Sequence, residues 1–195
     1  MITRIGSKQD IGGIIFLQKE NLYDKLSAHD RKKGFVTTPF SEAQLAGLLA
    51  ERGIFVAEDK GLITGYAMAG DWEFFSQWPI FPSMVSRLGS LSFAGKRTQP
   101  ELSFQYGPVC ITSALRGSGL LPLLFEEMRI EFAARFPVGI TFINRVNERS
   151  YAAHTRKLGM TEIGAFEFSD RSYAMLAFDT SRSVIGNAGP QPRGI

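Results

Sequence analysis

Apolar residues alternate with polar ones over some stretches of the chain and return every third or fourth position over others, a difference that separates strands from helices. Residues 2–5 read as a short first strand. Between residues 7 and 26, Ile11, Ile14, Ile15, Leu22 and Leu26 keep near-helical spacing with Asp10 in the first turn, which predicts one helix despite Gly12-Gly13. Ser41 and Glu42, followed by Leu45, Leu48 and Leu49, predict a second helix ending near Gly53. Two β-prone runs, 54–58 and 62–69, meet at Asp59-Lys60-Gly61 and read as a hairpin. Aromatic density rises over residues 71–92, where Pro79 and Pro82 forbid a long helix, so a lid-like segment of short helices is expected. Residues 93–100 read as a surface loop around Gly95-Lys96-Arg97.

The second half is patterned more strongly. Residues 102–112 predict a strand with a fault at Gly107-Pro108, since proline cannot donate to a ladder, and a bulge is expected there. Over 118–136, Leu121, Leu124, Phe125, Met128, Phe132 and Phe136 form one apolar stripe, with Glu126, Glu127, Arg129 and Glu131 off it. A buried strand over 138–143, a helix over 147–158 closed by Gly159, and an antiparallel pair, 161–168 with 171–178, complete the order. This alternation predicts an α/β architecture with a mixed sheet, its strand 102–112, helix 118–136 and strand 138–143 forming a right-handed βαβ unit.

Composition narrows the class. A chain of 195 residues with 44% hydrophobic content and 16 Phe can bury one ample core, expected over residues 1–180, with 181–195 as a frayed tail. A single Cys and two His cannot assemble a structural metal site, and no apolar run has the length of a membrane span. The N-terminal residues lack the apolar stretch of an export signal, so a cytoplasmic, metal-free protein is expected. The net charge of +3 is scattered, with one short run at Arg31-Lys32-Lys33 and a looser one from Arg145 to Lys157. That suits a small polyanion better than nucleic acid or a membrane surface.

Candidate chemistry concentrates at Val109-Cys110-Ile111-Thr112-Ser113-Ala114-Leu115-Arg116-Gly117-Ser118-Gly119-Leu120-Leu121-Pro122, between a strand and the best-patterned helix. Glycines there let several backbone N–H groups converge at a helix N-terminus, where the dipole also favours an anion, and Arg116 can add a full charge. Neither the Walker pattern nor the Gly-x-Gly-x-x-Gly dinucleotide pattern is present.

At these residues the chain resembles the GNAT superfamily of acetyl-CoA-dependent N-acetyltransferases, whose Gln/Arg-x-x-Gly-x-Gly/Ala signature falls on Arg116, Gly119 and Leu121, the last departing from the pattern. The segment from Asn147 to Met160 resembles the family's Asn-led helix ending in Leu-Gly-Phe. The resemblance implies a mostly antiparallel mixed sheet whose central parallel strands splay apart, flanked by helices. It implies acetyl-CoA as cosubstrate, with the pantetheine arm along Val109, Cys110 and Ile111 and the pyrophosphate on Arg116, Gly117, Ser118, Gly119, Leu120 and Leu121. Asn147, Ser150, His154 and Lys157 are the expected further cofactor contacts. Cys110 itself reads as a small buried hydrophobe, not a nucleophile.

The chemistry implied by the resemblance is direct attack of a primary amine of a small molecule or peptide on the thioester, within a ternary complex. The amide of Ile111 is the expected polariser, and Glu101 the expected base, with Asp71 and Glu73 behind it. The family's usual acid is a tyrosine on the later helix. Counting back from Gly159 puts Thr155 at that position and counting forward from Asn147 puts His154 there, because the segment has one residue too many; Tyr151 lies a turn earlier. The aromatic segment 72–81, with Asp71 and Glu73, is a candidate wall for a cationic acceptor. A non-catalytic acyl-CoA-binding domain is the alternative, and a homodimer is left open.

Overall fold

A computed structural model of the chain describes residues 1–31 and 34–185; Lys32 and Lys33 of the basic run and residues 186–195 of the predicted tail lie outside the described residues. Seven strands make one sheet in the order β1 (Ile2–Ile5), β2 (Ile54–Asp59), β3 (Leu62–Gly70), β6 (Ser103–Ile111), β7 (Val138–Asn144), β9 (Arg171–Asp179), β8 (Thr161–Phe168). Only β6 and β7 run parallel; every other neighbouring pair is antiparallel. A small hairpin, β4 (Ser92–Phe93) with β5 (Lys96–Arg97), occupies the expected loop. This is the mixed, mostly antiparallel sheet with a central parallel pair that the resemblance implies.

Strand alternation sorts the core onto two faces. Phe55 and Ala57 of β2 and Phe104 and Tyr106 of β6 face helix α6 (Leu120–Ala133), whose Leu124, Phe125, Met128 and Phe132 are buried against them. Each such side chain contributes roughly 1.5–3 kcal/mol by burial. On the other face, Ile54, Val56, Tyr66 and Met68 pack with α1 (Ile11–Glu20) and α3 (Glu42–Ala50). The proline-rich segment forms α4 (Trp72–Phe75) and α5 (Ile80–Leu88), whose Met84 and Leu88 close the far end of the sheet.

The predicted helix over 7–26 stops at Glu20. The Asn21 side chain donates to Leu17 O at 2.8 Å, and Leu22 then forms a parallel bridge to Val36, which takes the chain out of helical geometry. A short helix α2 (Ala28–Arg31) follows, unforeseen from the pattern. The beginning of the expected frayed tail is docked: Val184 N–H donates to Glu126 Oε2 at 3.3 Å and Val184 packs on the core, just after Thr180, whose carbonyl accepts from Arg129 at 2.6 Å.

The fault in β6 lies where the sequence predicts it. Val109 pairs with Ala67 and Tyr106 with Ala69, so one extra residue on β6 is accommodated at Gly107-Pro108, with Gly107 at a φ of 107° that only glycine adopts readily. β6 pairs with β7 only over Ser103–Gln105, against Val138, Gly139 and Ile140; beyond Gln105 the two strands separate. No helix among the described residues is long and apolar enough to cross a membrane.

Candidate functional site

The gap between β6 and β7 organises the site. Thr112 N–H bonds Thr64 O, so alternation directs the backbone groups of Cys110 to β3 and leaves those of Val109 and Ile111 on the open edge. The expected pantetheine contacts therefore reduce to Val109 and Ile111 for the backbone. The Cys110 side chain is buried, burial pushes its thiol up to about 12, and it behaves as a core residue.

After β6 the chain makes a short turn through Ser113–Leu115 and enters α6 with Gly119 as its N-terminal cap. Gly117 and Gly119 adopt φ of 91° and 93°, and an added Cβ would meet nothing at either, so backbone conformation alone demands glycine. No side chain caps α6, which leaves its first N–H groups available to an anion. Ser118 Oγ donates to Leu115 O and Leu120 is buried in the core, so these two contribute backbone only. Leu121 lines the cleft.

Arg116 is used differently from the expectation. Its guanidinium turns back, with Nε donating to Ile111 O at 2.9 Å, Nη1 to Gly34 O at 3.5 Å and Nη2 to Asn21 Oδ1. The positive charge that faces the cleft more freely comes from Arg149, Arg156 and Lys157 on the opposite wall. The cleft between the turn and that wall encloses about 360 Å³.

That wall begins with α7 (Glu148–Ala152), capped by Asn147 Oδ1, which accepts from Ser150 N–H at 3.3 Å. It continues through Ala153–Lys157 as a π-helical turn. The π turn absorbs the one surplus residue, which is why counts from the two ends of the segment disagree. His154 points into the gap, while Thr155 Oγ1 donates to Tyr151 O at 2.9 Å and does not line it. Tyr151 is turned away as well: its hydroxyl donates to Glu162 Oε2 at 2.6 Å, which raises its pKa. Of the three expected acids, only His154 reaches the cleft.

The protonation of His154 follows from its surroundings. Nδ1 lies 2.7 Å from Ser150 O, which can only accept, so Nδ1 carries the hydrogen and Nε2 presents a lone pair. Burial, partly opposed by that bond, lowers the imidazole below its ordinary value. A resting neutral imidazole with its lone pair on Nε2 must first accept a proton before it can donate one.

A second cavity, of about 100 Å³, lies where β6 and β7 part and shares Val109, Asn147, Ser150 and His154 with the cleft. Gln105, Thr141 and Asn144 come from the two separated strands, Thr37 and Thr38 from the segment before α3, and Tyr173 from β9. None of these was singled out by motif. The available signal was a polar residue in the middle of an apolar strand, as in Phe104-Gln105-Tyr106 and Ile140-Thr141-Phe142.

The carboxylates expected as bases are elsewhere. Glu101 sits exposed in a turn before β6, at the end of the strand opposite the glycine turn, and lines neither cavity. Asp71 caps α4 by accepting from Phe74 N–H at 2.7 Å. Asp71 and Glu73 lie toward Glu51, whose carboxyl is pushed up by its own burial and then by their charges. Of the aromatic segment 72–81, only Phe81 borders the second cavity; Phe75 is core. Among the described residues no group of three or more His, Cys, Asp or Glu could hold a metal ion.

The architecture is that of the GNAT fold. A GNAT superfamily phosphinothricin acetyltransferase from Sinorhizobium meliloti, solved in complex with acetyl-CoA, superposes with a TM-score of 0.60 at 18% identity, covering 100% of this chain and 94% of that one. The ribosomal-protein-S18-alanine N-acetyltransferase from Escherichia coli gives a TM-score of 0.59 at 13% identity over 97% of this chain and 99% of that one. An N-acetyltransferase from Staphylococcus aureus Mu50 gives 0.59 at 17% over 92% and 98%. At these identities the likeness establishes the fold. No family model and no curated protein sequence matches the chain.

Proposed function

We propose that the protein is an N-acetyltransferase of the GNAT type, moving an acetyl group from acetyl-CoA to a primary amine of a small molecule or peptide in a ternary complex. The observation that carries this reading is the gap between β6 and β7, with an anion-binding turn on one side and a second cavity on the other, joined at His154. Direct transfer needs two ligands that meet without a covalent relay through the protein. The one buried thiol near the gap, Cys110, is held protonated by its surroundings.

Acetyl-CoA, when bound, supplies the acyl group. The free N–H groups at the start of α6 hold the diphosphate, Arg156 and Lys157 add charge at the cleft wall, and the open edge of Val109 and Ile111 pairs with the pantetheine amides as an added strand would. Val109 borders both cavities whereas Ile111 borders only the cleft, so the Val109 amide replaces that of Ile111 as the group that polarises the thioester carbonyl. His154 Nε2 takes the proton lost by the amine nitrogen as the new C–N bond forms, and returns it to the sulfur as the C–S bond breaks. The proton count closes with no other group.

Calorimetric titration with acetyl-CoA, followed by thiol release over an amine panel, tests the reading. Micromolar binding with turnover on at least one amine is expected, and lack of binding overturns it. The outward orientation of Tyr151 favours one other reading, a non-catalytic acyl-CoA-binding domain, which predicts binding without turnover on any amine.

A further inference from the structure

The second cavity is uncharged, with polar and apolar residues sharing its walls. Thr37, Gln105, Thr141, Asn144, Tyr173 and the neutral imidazole of His154 supply its hydrogen-bonding groups, and none of the described residues lining it is Asp, Glu, Lys or Arg. The adjoining cleft has Arg116, Arg149, Arg156 and Lys157 on its walls, so charge is partitioned between the two spaces. An ammonium drawn into the second cavity finds no carboxylate and a carboxylate finds no cation, and burying either without a partner is costly. At about 100 Å³ the space holds the equivalent of three or four waters, enough for an amine and a few neighbouring atoms.

Gln105 adds an independent observation. The residue is 3% exposed, and Nε2 donates to Tyr106 O at 2.6 Å. Because that carbonyl can only accept, the amide cannot be flipped, and Oε1 is left buried with no donor among the described residues. The carboxamide lies beside the bulge: a Cβ on Gly107 would stand 3.7 Å from Nε2 and 3.5 Å from Thr141 Oγ1. A buried acceptor without a donor is rare in a native fold, and this one belongs to a residue of the cavity wall.

We propose that the acceptor is a weakly basic primary amine on an otherwise uncharged polar molecule, seated beside Gln105 in this uncharged cavity; this rests on the acetyltransferase reading above. Basicity matters because only the neutral amine attacks and only the neutral amine suits these walls. At pH 7.5 an α-amine is about one-third neutral and a lysine-type amine about one part in 800, which favours the former roughly two-hundredfold before any contact is made. Polyamines and free amino acids carry further charges and are disfavoured again.

The test uses the full chain at pH 7.5 with acetyl-CoA and four acceptors: alanine amide, Nα-acetyl-lysine amide, spermidine and free alanine. Alanine amide is expected to exceed each of the others at least a hundredfold in kcat/KM. Gln105→Glu is expected to cut the alanine amide to spermidine ratio at least tenfold, with acetyl-CoA affinity unchanged within about twofold. Equal or better turnover of spermidine or the lysine derivative overturns the proposal. Where turnover is too slow to rank, or Gln105→Glu does not fold, calorimetry on the unmodified protein decides, using coenzyme A joined through an acetyl linker to alanine amide or to spermidine. Tenfold tighter binding of the alanine amide conjugate supports the proposal; equal or reversed binding overturns it and leaves the acetyltransferase reading standing. If coenzyme A and both conjugates fail to bind, the acetyltransferase reading itself falls.

Discussion

The two cavities that meet at His154 are built on opposite principles. The larger is made of backbone: left-handed glycines, uncapped amides at a helix start and an unpaired strand edge, with basic side chains on the facing wall. The smaller is made of side chains from separate segments, polar and apolar together and without charge. Backbone recognition is tolerant of the residue at most positions, as Leu121 illustrates, because N–H groups do not depend on the side chain they carry. Side-chain recognition is specific to each protein. The difference teaches where to look for what is shared with other proteins of this fold and where to look for what is particular to this one.

The comparison can be broken at the wall common to both. Replacing His154 with Gln removes the proposed base while leaving the glycine turn untouched, and kcat is expected to fall about 10²- to 10³-fold with acetyl-CoA affinity nearly unchanged. Steady-state kinetics beside calorimetry separates the two effects. Gly119→Glu acts on the backbone side alone: a left-handed φ of 93° is imposed on a residue with a Cβ and a negative charge is set at the proposed anion site, so affinity for coenzyme A is expected to drop about a hundredfold. A thermal melt of the same variant distinguishes lost binding from lost folding.

Smaller effects sharpen it. Arg156→Ala combined with Lys157→Ala is expected to weaken coenzyme A about five- to tenfold at low salt and less at high salt, without altering acceptor preference. Stability carries the last signature. The folded-state pKa of His154 lies below its unfolded value near 6.5, so the unfolded chain binds the proton more readily; the contribution is whole above about pH 6.5 and is lost as pH falls from there through the folded value. Melting temperatures between pH 7.5 and 5.5 are expected to decline more steeply for the unmodified protein than for His154→Gln.

Much of this fold was legible because its strands are apolar runs bounded by turn residues, as at Lys60-Gly61, where both residues take positive φ. The stripe of α6 and the bulge at Gly107-Pro108 were equally plain, the first from periodicity and the second from the one residue that cannot join a ladder. The end of α1 was not, since it depends on Leu22 meeting Val36, a contact between segments that no local pattern records. In the site, the glycine turn could be read because it is continuous in sequence. The surplus residue after Asn147 was visible too, but only the π turn decides that His154 and not Thr155 turns inward. Glu101 misled because nearness to a strand in sequence says nothing about which end of that strand the chemistry uses. The uncharged chamber, assembled from residues as far apart as Thr37 and Tyr173, had no sequence signature beyond isolated polar residues in apolar strands.

Arg116 fastens three parts of the molecule together: the last carbonyl of β6, Asn21 at the end of α1, and Gly34 in the stretch leading to Val36. The N-terminal third is thereby part of the cleft itself, since Asn21, Gly34, Phe35 and Val36 border it. Amide hydrogen exchange at residues 21–31 and 34–36 is therefore expected to slow when coenzyme A is added, reporting occupancy from a segment that carries none of the glycine turn.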